Sequence, residues 1–236
     1  MSLLDSSLWE VIKASLDPEI WKELWGPIGE TLYMTIVSSL IMLVLGLLIG
    51  ILLTITNPDG LVPLKASYTV SGWVINCLRS LPQMIMIILM IPVARLIFGK
   101  AYGTNACIIA IAASCIPMYA RIVESSLLEI EKGKIEAAQA IGSNNLSIIF
   151  RILLPETVPS LIRGFTVSVI SVLSMTALAG MFGAGGIGDI AVRYGYQRFQ
   201  HDRLFACVYI LIILVQLIQG IGNLVSKQIL KSRNLI

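Results

Sequence analysis

The chain alternates long apolar runs with short polar stretches. Runs at about residues 31–56, 70–98, 105–126, 157–182 and 204–225 are each long enough, as helices, to cross roughly 30 Å of hydrocarbon at about 1.5 Å per residue. This pattern predicts an all-α integral membrane protein with five transmembrane helices. Gly46 and Gly50 in the first run form a small-xxx-small pair that permits close helix approach. Asn57-Pro58-Asp59-Gly60 reads as a turn. Arg79-Ser80-Leu81-Pro82 interrupts the second run. Pro82 predicts a kink there, and Arg79 either faces a wet cavity or reaches for headgroups. Pro92 and Pro117 are further kink positions. Arg121 and Glu124 can pair at i,i+3.

The flanks read differently. Residues 1–30 carry Trp9, Trp21 and Trp25, with Leu8, Val11, Ile12 and Leu16 at helical spacing. Asp17-Pro18 reads as an N-cap followed by a first helical residue. The segment is too charged to span and is expected to lie along the extracytoplasmic face, with its tryptophans among the headgroups. It lacks the pattern of a secretory signal peptide, so the first span is expected to act as its own insertion signal. Residues 226–236 form a basic tail. Together with a weak excess of Lys and Arg on the same side, the tail predicts an extracytoplasmic N-terminus and a cytoplasmic C-terminus.

Composition sharpens the class. The 236 residues are 56% hydrophobic and 13% charged, whereas soluble domains carry about 25% charged residues. The net charge of +3 comes with no basic–aromatic surface, so a nucleic-acid partner is not expected. Cys77, Cys107, Cys115 and Cys207 lack metal-ligand spacing and read as small apolar packing groups. His201, the only histidine, cannot form a multi-His metal site, so no metal site is expected. Gly183-Ala184-Gly185-Gly186-Ile187-Gly188 spells G-x-G-x-x-G. It follows a membrane helix rather than a strand, and reads as a tight turn at the pore mouth, not a dinucleotide site. No Walker-type G-x-x-x-x-G-K-[ST] occurs, so this chain is not expected to be an ATPase or to hold a cofactor itself.

The loop 127–156 carries the most informative pattern. Strong helix formers from Lys134 to Ile141 end at Gly142, a natural C′ residue. Ser143 can cap a second helix, Asn144 to Leu154, which Pro155 is expected to stop. The expected product is a pair of short helices beside the membrane. Ala137 and Ala138 leave a face able to press into a groove on another protein, with Glu136 placed to pair with a basic group at its rim.

The spacing Glu136-Ala137-Ala138, Gly142, Ile152, Leu154-Pro155 resembles the signature loop of ABC importer permeases, with every interval kept. The resemblance covers nearly the whole chain and is strongest to the five-span, methionine-importing branch. It is carried also by Leu32–Thr35, Arg79–Pro82, Val123–Ile130, Gly183–Ile190 and Tyr194-Gly195-Tyr196. It implies a type I importer permease fold with two short cytoplasmic coupling helices, in a bacterial inner membrane among its lipids. It implies a homodimer that docks two cytoplasmic ATP-binding subunits, which use ATP and Mg²⁺, and that receives substrate from an extracytoplasmic binding protein or lipoprotein. Alternating access would carry D- or L-methionine, and a related amino acid or short peptide stays open. The resemblance places ATPase coupling on Glu136, Ala137, Ala138, Gly142, Ile152, Leu154 and Pro155. It places an apolar gate at Leu178 with Met175 and Met181, in line with closure of a pore by dewetting. The stretch Asp189–Arg203 after the Gly-rich turn is expected to touch the binding protein, through Asp189, Arg193, Tyr194 and Tyr196. The alternative is an ion-coupled secondary transporter, for which Arg79 and Glu124 are the only candidate midplane charges. A membrane-embedded enzyme lacks any catalytic constellation here.

Overall fold

The computed structural model describes residues 8–232, which are helical with no strand among them. Helix α1 (Leu8–Ala14) leads into α2 (Pro18–Thr56), then α3 (Lys65–Ser80), α4 (Gln83–Phe98), α5 (Thr104–Leu128), α6 (Lys132–Ala140) and α7 (Asn145–Ile148). A π-helical turn (Ile149–Leu153) joins α7 to α8 (Leu154–Gly180). Next come α9 (Gly186–Ile190), a second π-helical turn (Ala191–Tyr196) and α10 (His201–Ser232). Helices α2, α5, the run Asn145–Gly180 and α10 are each long and apolar enough to cross a membrane.

Three boundaries differ from the sequence expectation. The first concerns residues 18–30, which are not a separate interfacial segment. Asp17 caps α2, its carboxylate oxygen accepting the Glu19 N–H at 2.9 Å, and Pro18 opens the helix as expected. The helix then runs unbroken through Pro27 for 39 residues, about 58 Å. Buried apolar contact is what holds this extension. Leu24 belongs to a cluster with Ile187, Ala206, Cys207 and Ile210, and Ile20, Trp21 and Ile28 pack against it. Trp9 and Trp25 remain exposed; residues 1–7 lie outside the described residues. Second, the run 70–98 is two helices. Leu81 and Pro82 are extended, with ψ of 131° and 134°. A proline disfavours the helical region for the residue before it, so the expected kink becomes a full break between two helices. Third, α10 continues to Ser232, so the tail from 226 is helical up to that point, and residues 233–236, including the expected basic Arg233, lie outside the described residues.

Packing divides the chain into two units. The first comprises the chain up to Leu40, Pro82–Ser114 and Val169–Ile218. Here the loop before α9 needs positive φ at Gly183, Gly185 and Gly186. Its amides are held by α2: the Gly186 N–H donates to Glu30 Oε2 at 2.6 Å and the Ile187 N–H to Thr31 Oγ1 at 2.9 Å. The donors that a phosphate would seek in a Gly-rich loop are therefore taken by a carboxylate and a hydroxyl of the same chain.

The second unit comprises Ile41–Leu81, Cys115–Ser168 and the chain from Gln219. Helices α2 and α5 approach closely in it. A Cβ on Gly50 would lie 2.5 Å from Val123 Cβ, and one on Gly46 would lie 2.7 Å from Tyr119 Cδ1. The Gly46–Gly50 pair thus permits the close approach that its spacing suggests. Tyr119 also packs edge-on against Phe165, with ring centroids 5.7 Å apart. Helix α3 is attached mainly by polar groups, since only Gly72 and Ile75 of its residues are buried. Arg121 pairs with buried Glu124 at 2.6 Å and donates to Gly72 O at 3.0 Å and Asn76 Oδ1 at 3.1 Å. The Tyr68 hydroxyl donates to Glu124 Oε1 at 3.0 Å. Arg79 sits exposed in the last turn of α3.

Candidate functional site

The loop between α5 and α8 folds as two short helices and a π-helical turn, with a geometry that follows from local rules. Helix α6 ends in a Schellman closure. The Ser143 N–H donates to Ala138 O at 3.0 Å and the Gly142 N–H to Gln139 O at 2.9 Å, while Gly142 takes φ +81°. A Cβ on Gly142 would meet nothing within 4 Å, so the left-handed backbone, not lack of space, requires glycine. Replacing Gly142 with Val, whose branched side chain disfavours this backbone, costs about 1–3 kcal/mol of local strain and reorients α7 relative to α6. The expected result is reduced co-purification of a docked ATPase with membrane insertion intact. Quantitative pull-down against a membrane-fraction blot checks it.

Helix α7 begins one residue later than its expected cap. Ser143 already supplies the amide that closes α6, so Asn144 is the N-cap, with ψ 159° and its Oδ1 accepting the Ser147 N–H at 2.7 Å. Nor does Pro155 stop the helix. It lies in the first turn of α8, directly after the π-helical turn 149–153. A proline ring clashes with the carbonyl four residues back and offers it no N–H. The wider i→i+5 turn changes the backbone pairing ahead of the proline, and the chain runs on as one helix from Asn145 to Gly180.

The expected coupling residues fall into different settings. Glu136 and Ala137 are exposed, Ile152, Leu154 and Pro155 are half-buried, and Gly142 is exposed at the turn. Ala138 is only 5% exposed, so it packs inward and cannot offer its face to a partner. The outward apolar surface is made by residues that sequence reasoning missed: Ile141 (83% exposed), Leu146 (66%) and Phe150 (64%). A signal existed, since these are large apolar side chains in an otherwise polar loop. Glu136 lines a groove of about 420 Å³ with Asp59, Lys132 and Gln139. Lys132 Nζ pairs with Asp59 Oδ2 at 3.2 Å, and Lys134 pairs with Glu156. The hydrogen bond that Lys134 donates to Glu156, followed by the charge of that carboxylate, raises the Lys134 pKa above the ordinary lysine value.

The gate candidates do not share one surface. Met175 is fully buried, Leu178 half-buried and Met181 exposed. Leu178 and Met181 line an almost wholly apolar groove of about 380 Å³ with Ser174, Val192 and Leu211. Among the outer candidates, Asp189 is buried and pairs with Arg193. That hydrogen bond, and then the charge of Asp189, raises the Arg193 pKa. The Tyr194 ring sits under Arg198 at 4.7 Å and Arg203 at 4.9 Å, with Arg203 also pairing Glu23 at 3.0 Å. Tyr196 is exposed. Cys107, Cys115 and Cys207 are buried and Cys77 half-buried, all as free thiols.

Residues 46–231 match the family described as the binding-protein-dependent transport system inner membrane component. The methionine import system permease protein MetP of Bacillus subtilis is 43% identical over 205 residues, covering 87% of this chain and 92% of that one. The probable D-methionine transport system permease protein MetI of Vibrio cholerae is 38% identical over 200 residues, covering 85% and 89%. Among solved structures, a chain of the inward-facing MetNI methionine ABC transporter (CY5 native crystal form) superposes with a TM-score of 0.88 at 34% identity. That match covers 91% of this chain and 99% of that chain.

Proposed function

Because the chain belongs to the family of binding-protein-dependent transport system inner membrane components, we propose that it is the permease subunit of an ATP-driven methionine importer. Two copies form the translocation path, two cytoplasmic ATP-binding subunits supply the energy, and an extracytoplasmic binding protein delivers the amino acid. The observation that carries this reading is the exposed apolar surface of Ile141, Leu146 and Phe150 around the Gly142 turn. Large apolar side chains on short amphipathic helices are the anchors of helix-in-groove docking. The cytoplasm holds this surface; with the α3–α4 pair crossing as one span beside the four long helices, the C-terminus lies inside and the N-terminus outside. ATP binding draws the ATPases together, and the docked α6 and α7 move the spanning helices between inward- and outward-facing states.

The gate belongs at Leu178 and Met181, on the open side of α8, with Met175 supporting them from the core. Tyr196 is the side chain best placed to meet the delivering protein, while Asp189 and Arg193 hold each other. Leu178→Ala shortens the apolar constriction, so ATP hydrolysis is expected to rise without a matching rise in uptake. The decisive experiment is uptake of labelled methionine into proteoliposomes holding the permease and its ATPase, with the binding protein added outside the transport-competent face. Uptake that needs ATP and the binding protein, and that ignores ionophores, supports the importer. Uptake that persists without the ATPase and collapses with an ionophore assigns an ion-coupled carrier instead.

A further inference from the structure

Helix α6 is attached to its unit at more points than chain connectivity requires. From α6 the backbone reaches α8 through the Schellman turn at Gly142, the four residues of α7 and a π-helical turn. Each is a place where direction or hydrogen-bond pattern changes, so the backbone route is indirect. Across this path, Lys134 in the first turn of α6 pairs with Glu156 in the first turn of α8. The pair closes a triangle of α6, α7 and the base of α8.

A second contact ties the start of α6 to the turn after α2, where Lys132 pairs with Asp59 at 3.2 Å. That turn is stiff. The Asp59 N–H donates to Asn57 Oδ1 at 3.0 Å and the Gly60 N–H to Asn57 O at 2.8 Å. The Val62 N–H returns to Ile55 O at 3.0 Å, and a Cβ on Gly60 would collide with the Thr54 and Ile55 carbonyls.

We propose that Lys134 and Glu156, seconded by Lys132 and Asp59, are positioning residues that transmit movement of a docked α6 directly to α8 and α2, in parallel with the longer backbone path Gly142–Leu153. The inference rests on the coupling role proposed for this loop and extends it to residues outside the signature pattern. Lys134–Glu156 is the principal strut, because the helix it drives carries Leu178. Both pairs are substantially exposed, and exposed pairs add little to stability. Their loss therefore leaves folding and docking in place and appears in the efficiency of coupling.

The test compares K134A, E156A, K132A and the charge-reversed double variant K134E/E156K in proteoliposomes with the ATPase docked. Methionine uptake per ATP hydrolysed is expected to fall by up to about fivefold in K134A and E156A, the most that an exposed pair supports, and less in K132A. Co-purification of the ATPase stays at the wild-type level, and the double reversal restores most of the ratio. An unchanged ratio in the single variants overturns the proposal, as does a double reversal no better than K134A alone. Failure of the wild-type chain to capture the ATPase at all overturns the coupling role itself, a separate outcome seen before any variant is made.

Discussion

Phe150→Asp is expected to release the ATPase partner from the purified complex while the permease still inserts and folds. Phe150 is 64% exposed and stands with Leu146 and Ile141 on the outward side of the docking element. Burying a phenylalanine side chain in a partner groove is worth about 1.5–3 kcal/mol, and an unpaired carboxylate in its place adds a desolvation penalty. A loss of at least about 2.8 kcal/mol lowers affinity roughly 100-fold, enough to lose the complex at ordinary pull-down concentrations. Membrane yield and thermal stability of the permease alone should not change, because the wild-type ring is largely outside the core. Undiminished ATPase capture by the variant would remove this surface from the docking site.

Gly50→Leu is expected to have the largest effect on the fold. The first added atom would lie 2.5 Å from Val123 Cβ and 2.7 Å from Ala120 O, so α2 and α5 must separate before any rotamer is considered. Overpacking costs about 1–3 kcal/mol in a deformable core. A backbone carbonyl in the way puts this site at the upper end or beyond, since membrane helices associate chiefly through such close packing. Detergent-solubilised variant should unfold at a clearly lower Tm and elute as aggregate by size-exclusion chromatography. Gly220→Ala is the matched control. A Cβ there meets nothing within 4 Å, and a helical Gly→Ala change is neutral or stabilising by up to about 1 kcal/mol.

How much could be read from the residues depends on the range of each interaction. Asp17-Pro18 starts α2, and Gly142 ends α6, because caps and left-handed turns are decided within a few residues. Four spans were legible from uninterrupted apolar length, whereas the run 70–98 divides into α3 and α4. The extension of α2 back to Pro18 was not, because it depends on Leu24 meeting Ile187 and Cys207, partners far away in the chain. The same is true of the Gly-rich loop, whose amides bind Glu30 and Thr31, 156 residues distant. Ala138 and Ala137 are indistinguishable as residue types, and only the fold decides that one is buried. Leu146 and Phe150 were visible as apolar interruptions, but their outward orientation depends on where α7 starts and on how it joins α8. Proline at 155 reads as a stop only if the preceding backbone keeps ordinary helical pairing, and it does not.

The π-helical turn at Ile149–Leu153 has a consequence for how this loop tolerates change. A π turn is equivalent to one residue inserted into an α-helix, and one residue advances the helix by about 100°. The exposed side chains at 146 and 150, proposed above to dock the ATPase, are thus phased against α8 by a count of residues rather than by any single contact. Substitutions through this stretch can alter affinity yet leave the direction of thrust intact, whereas deleting one residue between Phe150 and Leu153 would regularise the helix. The docking surface would then turn about a quarter of a revolution away from its groove, with every anchoring side chain still present. Length, more than identity, is what this segment must conserve.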